Sequence, residues 1–87
     1  MDINILKNEK EEIEVELENL TLAELLRVYL NEDSGVVFAA WKREHYTKKP
    51  VLKVQTKGKT AKKALNDAIA QVIKELDKLE EDFKKLK

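Results

Sequence analysis

From Leu65 onward the chain sets an apolar residue at Leu65, Ile69, Val72, Leu76, Leu79, Phe83 and Leu86, at spacings of 4, 3, 4, 3, 4 and 3. This is an unbroken heptad seam, and an α-helix is the element that brings such positions onto one side. Lys57-Gly58-Lys59 reads as a turn and Thr60 as a cap, which predicts a helix over Ala61 to Lys87. At the α-helical rise it is about 40 Å long. In its first half Ala61, Ala64, Ala68 and Ile73 widen the stripe into a face suited to a sheet. In its second half the stripe narrows to the seam alone, bordered by charges such as the favourably oriented Glu80–Lys84 and Glu81–Lys85 pairs. A chain of 87 residues builds a domain narrower than this helix and buries roughly 60% of its unfolded surface. The second half is therefore expected to overrun its own sheet. Leu76, Leu79, Phe83 and Leu86 would each forgo roughly 1.5–3 kcal/mol if left in water. A partner helix is the expected cover.

The remaining chain reads as one domain over residues 1–87, without linker or repeat. Gly35, Gly58 and Pro50 are its only glycines and proline. Ile3 and Ile5 fit a short strand, with a polar turn over Asn8 to Lys10. Ile13, Val15 and Leu17 then alternate with Glu12, Glu14, Glu16 and Glu18, the period of a strand with one buried and one acidic face. Thr21-Leu22-Ala23-Glu24 has the form of a capping box, and Leu22, Leu25, Leu26, Tyr29 and Leu30 follow at helical spacing to about Glu32. Val36 to Trp41 is apolar on both faces, which predicts a strand in need of cover on both. Thr47 to Pro50 forms a turn, and Val51, Leu52 and Val54 make a fourth strand. The order ββαββα predicts an α+β fold of two layers, a four-stranded sheet with both helices on one face.

Several functions are set aside by composition. Seventeen basic and seventeen acidic side chains give no net charge, so no bulk field drives nucleic-acid binding. There is no cysteine, which removes disulfides and thiolate metal sites. His45 is the only histidine, Ser34 is a lone serine in a turn, and no phosphate-binding glycine loop occurs. No catalytic constellation, metal set or cofactor site is expected. No apolar run reaches membrane-spanning length, and Met1-Asp2-Ile3-Asn4 does not read as a signal peptide. A cytoplasmic protein is expected. Lysines cluster from Lys42 to Lys63 near Trp41 and Tyr46, but Gly35 to Trp41 lacks the glycine-aromatic signature of the RNA-recognition sheet. A nucleic-acid module therefore ranks below an interaction module.

The segment Thr21 to Leu30, followed by Gly35-Val36, resembles the signature of the archaeal RNA polymerase subunit L family. Members carry Thr-Leu near the start of the first helix, Leu-Arg a turn later, and Gly-Val opening the next strand. Phe38-Ala39-Ala40-Trp41, Glu44-His45, Val54-x-Thr56-Lys57-Gly58 and the long terminal helix continue the match in order. Departures are Asn19 and Leu20 where members have Asp-His, Glu24 where they often have Asn, and Tyr46 where Pro follows the His. The resemblance implies a non-catalytic assembly subunit of DNA-directed RNA polymerase. Such a protein pairs as a heterodimer with the alpha-like subunit, termed D in archaea, and the pair is a platform for the large polymerase subunits. By the same resemblance, Leu22, Leu25, Leu26 and Tyr29 join Leu76, Leu79, Phe83 and Leu86 in the partner interface. Arg27 matches the family arginine and is expected to contact a large subunit, its plain alternative being an ordinary exposed helix residue. No direct sequence-specific DNA contact is expected. The alternative function is a homodimeric scaffold subunit of a tRNA-modifying complex.

Overall fold

A computed structural model describes residues 3–45 and 48–85, with the backbone alone at Phe83. The readings that touch Tyr46, Thr47, Leu86 and the Phe83 side chain lie outside the described residues. In order the elements are β1 (Ile3–Glu9), β2 (Glu12–Leu17), α1 (Leu20–Glu32), β3 (Val36–Lys42), β4 (Val51–Thr56) and α2 (Ala61–Lys85). The strands form one antiparallel sheet in the order β1-β2-β4-β3. The fold is α+β, as the element order predicted.

Alternation sets the sheet's two faces. Ile13, Val15 and Leu17 of β2 pair with or flank Leu52 and Val54 of β4, and all five are fully buried. Glu12, Glu14 and Glu16 point the other way, opposite Gln55, Lys53 and Val51. Over the buried face α1 lays Leu22, Ala23, Leu26 and Leu30, and α2 lays Ala61, Ala64, Leu65, Ala68 and Val72. The small alanines let the α2 backbone approach the sheet closely. Thr56 is the one buried polar residue among those described, and its hydroxyl donates to the Lys59 carbonyl at 2.6 Å. Two layers give a slab measuring 45 × 34 × 17 Å.

Backbone hydrogen bonds stitch the ends together. The β1–β2 turn accepts from β4 and α2 through Thr56 N–H to Glu11 O at 2.9 Å and Ala61 N–H to Lys10 O at 2.8 Å. Gly58 adopts φ +86, a conformation glycine takes without a Cβ clash, and its N–H donates to Glu11 Oε2 at 3.1 Å. Lys59 Nζ bridges Asp33 at 2.6 Å and Asp67 at 3.4 Å. This ties the α1–β3 turn to α2.

Three local expectations are corrected. The α1 cap is Asn19, whose side-chain oxygen accepts from Leu22 N–H at 2.8 Å, rather than a Thr21–Glu24 capping box. The helix starts at Leu20 because the asparagine oxygen already satisfies the first-turn donor, and Glu24 turns to Arg27 and Trp41 instead. The first strand continues to Glu9, placing the turn at Lys10–Glu11. β3 is an edge strand with one face uncovered, leaving Val37 62% and Phe38 44% exposed. The Thr60 cap of α2 is present, its hydroxyl accepting from Lys63 N–H at 3.2 Å.

Candidate partner-binding site

The core ends at Val72, while the heptad seam continues. Val72 is 1% exposed, Leu76 51% and Leu79 64%. The cause is geometric. α2 has 25 residues, about 37 Å at the α-helical rise, and only its first half lies over strands. From Ile73 on, every residue whose side chain is described is exposed. Ile73 itself, read from sequence as part of the sheet-facing stripe, sits on the open flank.

α1 runs beside this seam. Leu25 is exposed on it, and a groove of about 500 Å³ opens between the helices, lined by Leu22, Leu25, Val72 and Leu76 with Glu18, Asn19 and Thr21 at its mouth. Leu25, Leu76 and Leu79 thus form one apolar surface with the groove. Leu26 is fully buried and Leu22 nearly so, so their side chains support this surface from beneath. Tyr29 is half-buried on the other side of the helix pair, in a hollow shared with Glu32, Asp33, Asp67, Ala70 and Gln71. Partial desolvation, with Glu75 and Glu32 adding, pushes its hydroxyl above the ordinary tyrosine value. Val28 and Ile73 are further exposed apolar residues on the two helices. Val28 lies off the Leu22-Leu26-Leu30 stripe, so periodicity carries no signal for it, whereas Ile73 reads from periodicity as sheet-facing and proves exposed.

Arg27 occupies a separate, charged patch. Its guanidinium donates to the Glu24 carboxylate through Nε at 3.1 and 3.2 Å and closes an ion pair through Nη2. The Trp41 indole N–H donates to the same carboxylate at 2.8 Å, linking α1 to β3. Arg27 and then Trp41 hold the Glu24 carboxyl down to about 2. The arginine is thereby fixed in orientation while remaining half-exposed.

Among the described residues no group of three or more metal-ligating side chains converges, and no helix is long and apolar enough to cross a membrane. A two-layer domain that completes its own core with half a helix, and carries the seam onward in solvent, has the construction of a pairing domain. The sequence pattern of the RNA polymerase Rpb3/Rpb11 dimerisation domain matches residues 10–82. DNA-directed RNA polymerase subunit Rpo11 from two strains of Saccharolobus islandicus (L.S.2.15 and Y.G.57.14) is 40% identical over 76 residues, covering 84% of this chain and 79% of each relative. The crystal structure of DNA-directed RNA polymerase subunit L from Thermoplasma acidophilum superposes with a TM-score of 0.80 at 25% identity, covering 97% of this chain and 86% of that one. The chain belongs to the RNA polymerase Rpb3/Rpb11 dimerisation domain family. It is a homologue of the archaeal Rpo11 and L subunits.

Proposed function

We propose that this chain is a non-catalytic assembly subunit of DNA-directed RNA polymerase that pairs with the alpha-like subunit (the archaeal D protein), and that the pair carries the large subunits. The observation that supports it is the exposed seam. Leu76 and Leu79 continue the stripe that Leu65 and Val72 bury, and Leu76 lines a groove of about 500 Å³ that can take apolar side chains of a facing helix. Family membership supplies the kind of partner, since the domain is a dimerisation domain. Leu25, Leu76 and Leu79 contribute surface, Phe83 and Leu86 extend the same heptad register, and Leu22, Leu26 and Tyr29 set the position of α1 beneath and beside it. Arg27, held by Glu24 and Trp41, is a fixed cation for a carboxylate on a large subunit. The chain brings no chemistry of its own, and the catalytic steps belong to the assembled enzyme.

Co-expression with an alpha-like subunit tests the pairing. Wild type is expected to co-purify as a 1:1 complex by light scattering. Leu76→Asp with Leu79→Asp is expected to abolish the complex while circular dichroism keeps the α+β signature, because neither side chain serves the core. A double variant that still co-purifies overturns the proposed face.

A further inference from the structure

The sheet has two free edges, and they are built differently. β1 exposes Ile5 and Leu6, but it breaks them up with Asn4, Lys7, Asn8 and Glu9, a register shift between Ile5 and Lys7, and the Lys7–Glu12 ion pair. Charges and bulges of this kind keep an edge from pairing with another chain. At the opposite edge, β3 has its irregularity at the start, between Val36 and Phe38. Beyond it Phe38, Ala39, Ala40 and Trp41 run uncharged, in regular register with Gln55, Val54, Lys53 and Leu52. The outer backbone groups of β3 have no neighbouring strand among the described residues. The strand is also rigidly placed, since Trp41 is anchored to Glu24 on α1.

Two further features surround this edge. On the helix-free face a depression of about 280 Å³ is floored by Phe38, Ala40 and Val51 and walled by Glu14, Lys42 and Lys53. At the strand's end Lys42 and Arg43 are exposed, and neither forms an ion pair with a described residue.

We propose that the outer edge of β3 receives an extended strand from another polymerase subunit. The incoming strand adds antiparallel, as every pair in this sheet does. It seats an apolar side chain against Phe38, Ala40 and Val51, and it places a carboxylate near its N-terminal end against Lys42 and Arg43. An extended segment fits because it can complete a free ladder, whereas a helix has spent its backbone groups internally. Charge argues against a second copy of this chain. Antiparallel self-pairing about Ala39 sets Lys42 opposite Val36 and Arg43 opposite Gly35, and the nearest acid there, Asp33, is already held by Lys59. The proposal rests on the reading of the chain as an assembly subunit, but it uses a surface separate from the exposed half of α2.

The test compares the heterodimer with the assembled polymerase by hydrogen exchange and mass spectrometry over residues 36–42. The outer amides are expected to slow by at least about tenfold on assembly, as paired strand amides do. Equal rates in the two states overturn the proposal. Two variants probe the same edge, Val37→Lys with Phe38→Lys, and the fully exterior Lys42→Glu with Arg43→Glu. Both are expected to form the heterodimer and to lose incorporation of the large subunits by at least about tenfold. Normal incorporation of Lys42→Glu with Arg43→Glu overturns the proposal, whatever the first variant does. So does loss of the heterodimer itself in that charge-reversal variant, which would put β3 inside the helix-face interface. A 2:2 species that vanishes in Val37→Lys with Phe38→Lys assigns the edge to a second copy and equally overturns it. Failure of the wild-type chain to pair with an alpha-like subunit at all is a different result, and it sinks the assembly reading first.

Discussion

Asn19 caps α1 at a position where the resemblance leads one to expect aspartate, and the cap needs only what both side chains supply. Both side chains offer an oxygen at the same distance from the backbone, and at the N-cap that oxygen accepts from Leu22 N–H. Asn19→Ala is expected to cost about 1 kcal/mol in urea unfolding, whereas Thr21→Ala, whose residue is exposed and makes no cap, is expected to change the midpoint little. Two carboxyls are held far below the ordinary value, Glu24 half-exposed and Glu12 more sheltered beside the sheet. Glu12 is held down to about 2 first by Lys7 and then by Gln55, whose amide donates at 2.6 Å, and Glu24 to about 2 by Arg27 and then Trp41. A carboxyl depressed in the folded state contributes stability above its ordinary value of 4.5, and that contribution is lost as pH falls toward 2. The urea midpoint is therefore expected to fall across this window. Glu24→Gln and Glu12→Gln are each expected to flatten the fall, measured at matched ionic strength because exposed pairs are screened.

Within α1 and α2, burial separates residues that periodicity could not. Leu26 and Leu79 sit on equivalent apolar positions of their helices, yet one is fully buried and the other 64% exposed. Leu26→Ala is expected to cost about 2–5 kcal/mol of the chain's own stability, and Leu79→Ala close to nothing in the unpaired chain. Denaturant midpoints of the two variants check the contrast directly. The elements themselves were legible because each has a strong period: glutamate alternation for β2, a heptad for α2, a leucine stripe for α1. The surplus of the α2 seam was legible from length alone. The cap was not, since Asn19 and Thr21 are both good capping residues and tertiary partners of Glu24 decided between them. The edge position of β3 was not legible either. An uncharged run reads as a covered central strand, and strand order is a long-range property that local sequence does not encode. For the same reason Trp41 gave no hint that its indole would clamp a carboxylate 17 positions away.

At the scale of the whole molecule, a slab 17 Å thick with helices on one side has little interior in which to hide more apolar surface. The unpaired chain is expected to self-associate as concentration rises, through the exposed half of α2, and light scattering over a dilution series reads this. Adding an alpha-like partner is expected to replace that self-association with a single 1:1 species. Mixed charges over the rest of the surface, summing to zero, give no long-range steering, so salt is expected to leave the pairing nearly unchanged while weakening contacts made by Arg27.

The division of α2 at Val72 has an evolutionary consequence. Upstream of that point each substitution is judged by folding, and downstream by whatever the helix meets. A lineage can therefore retune its choice of companion along the final three turns without jeopardising the body that presents them, so drift in that stretch should track drift in the companion rather than in the rest of the chain.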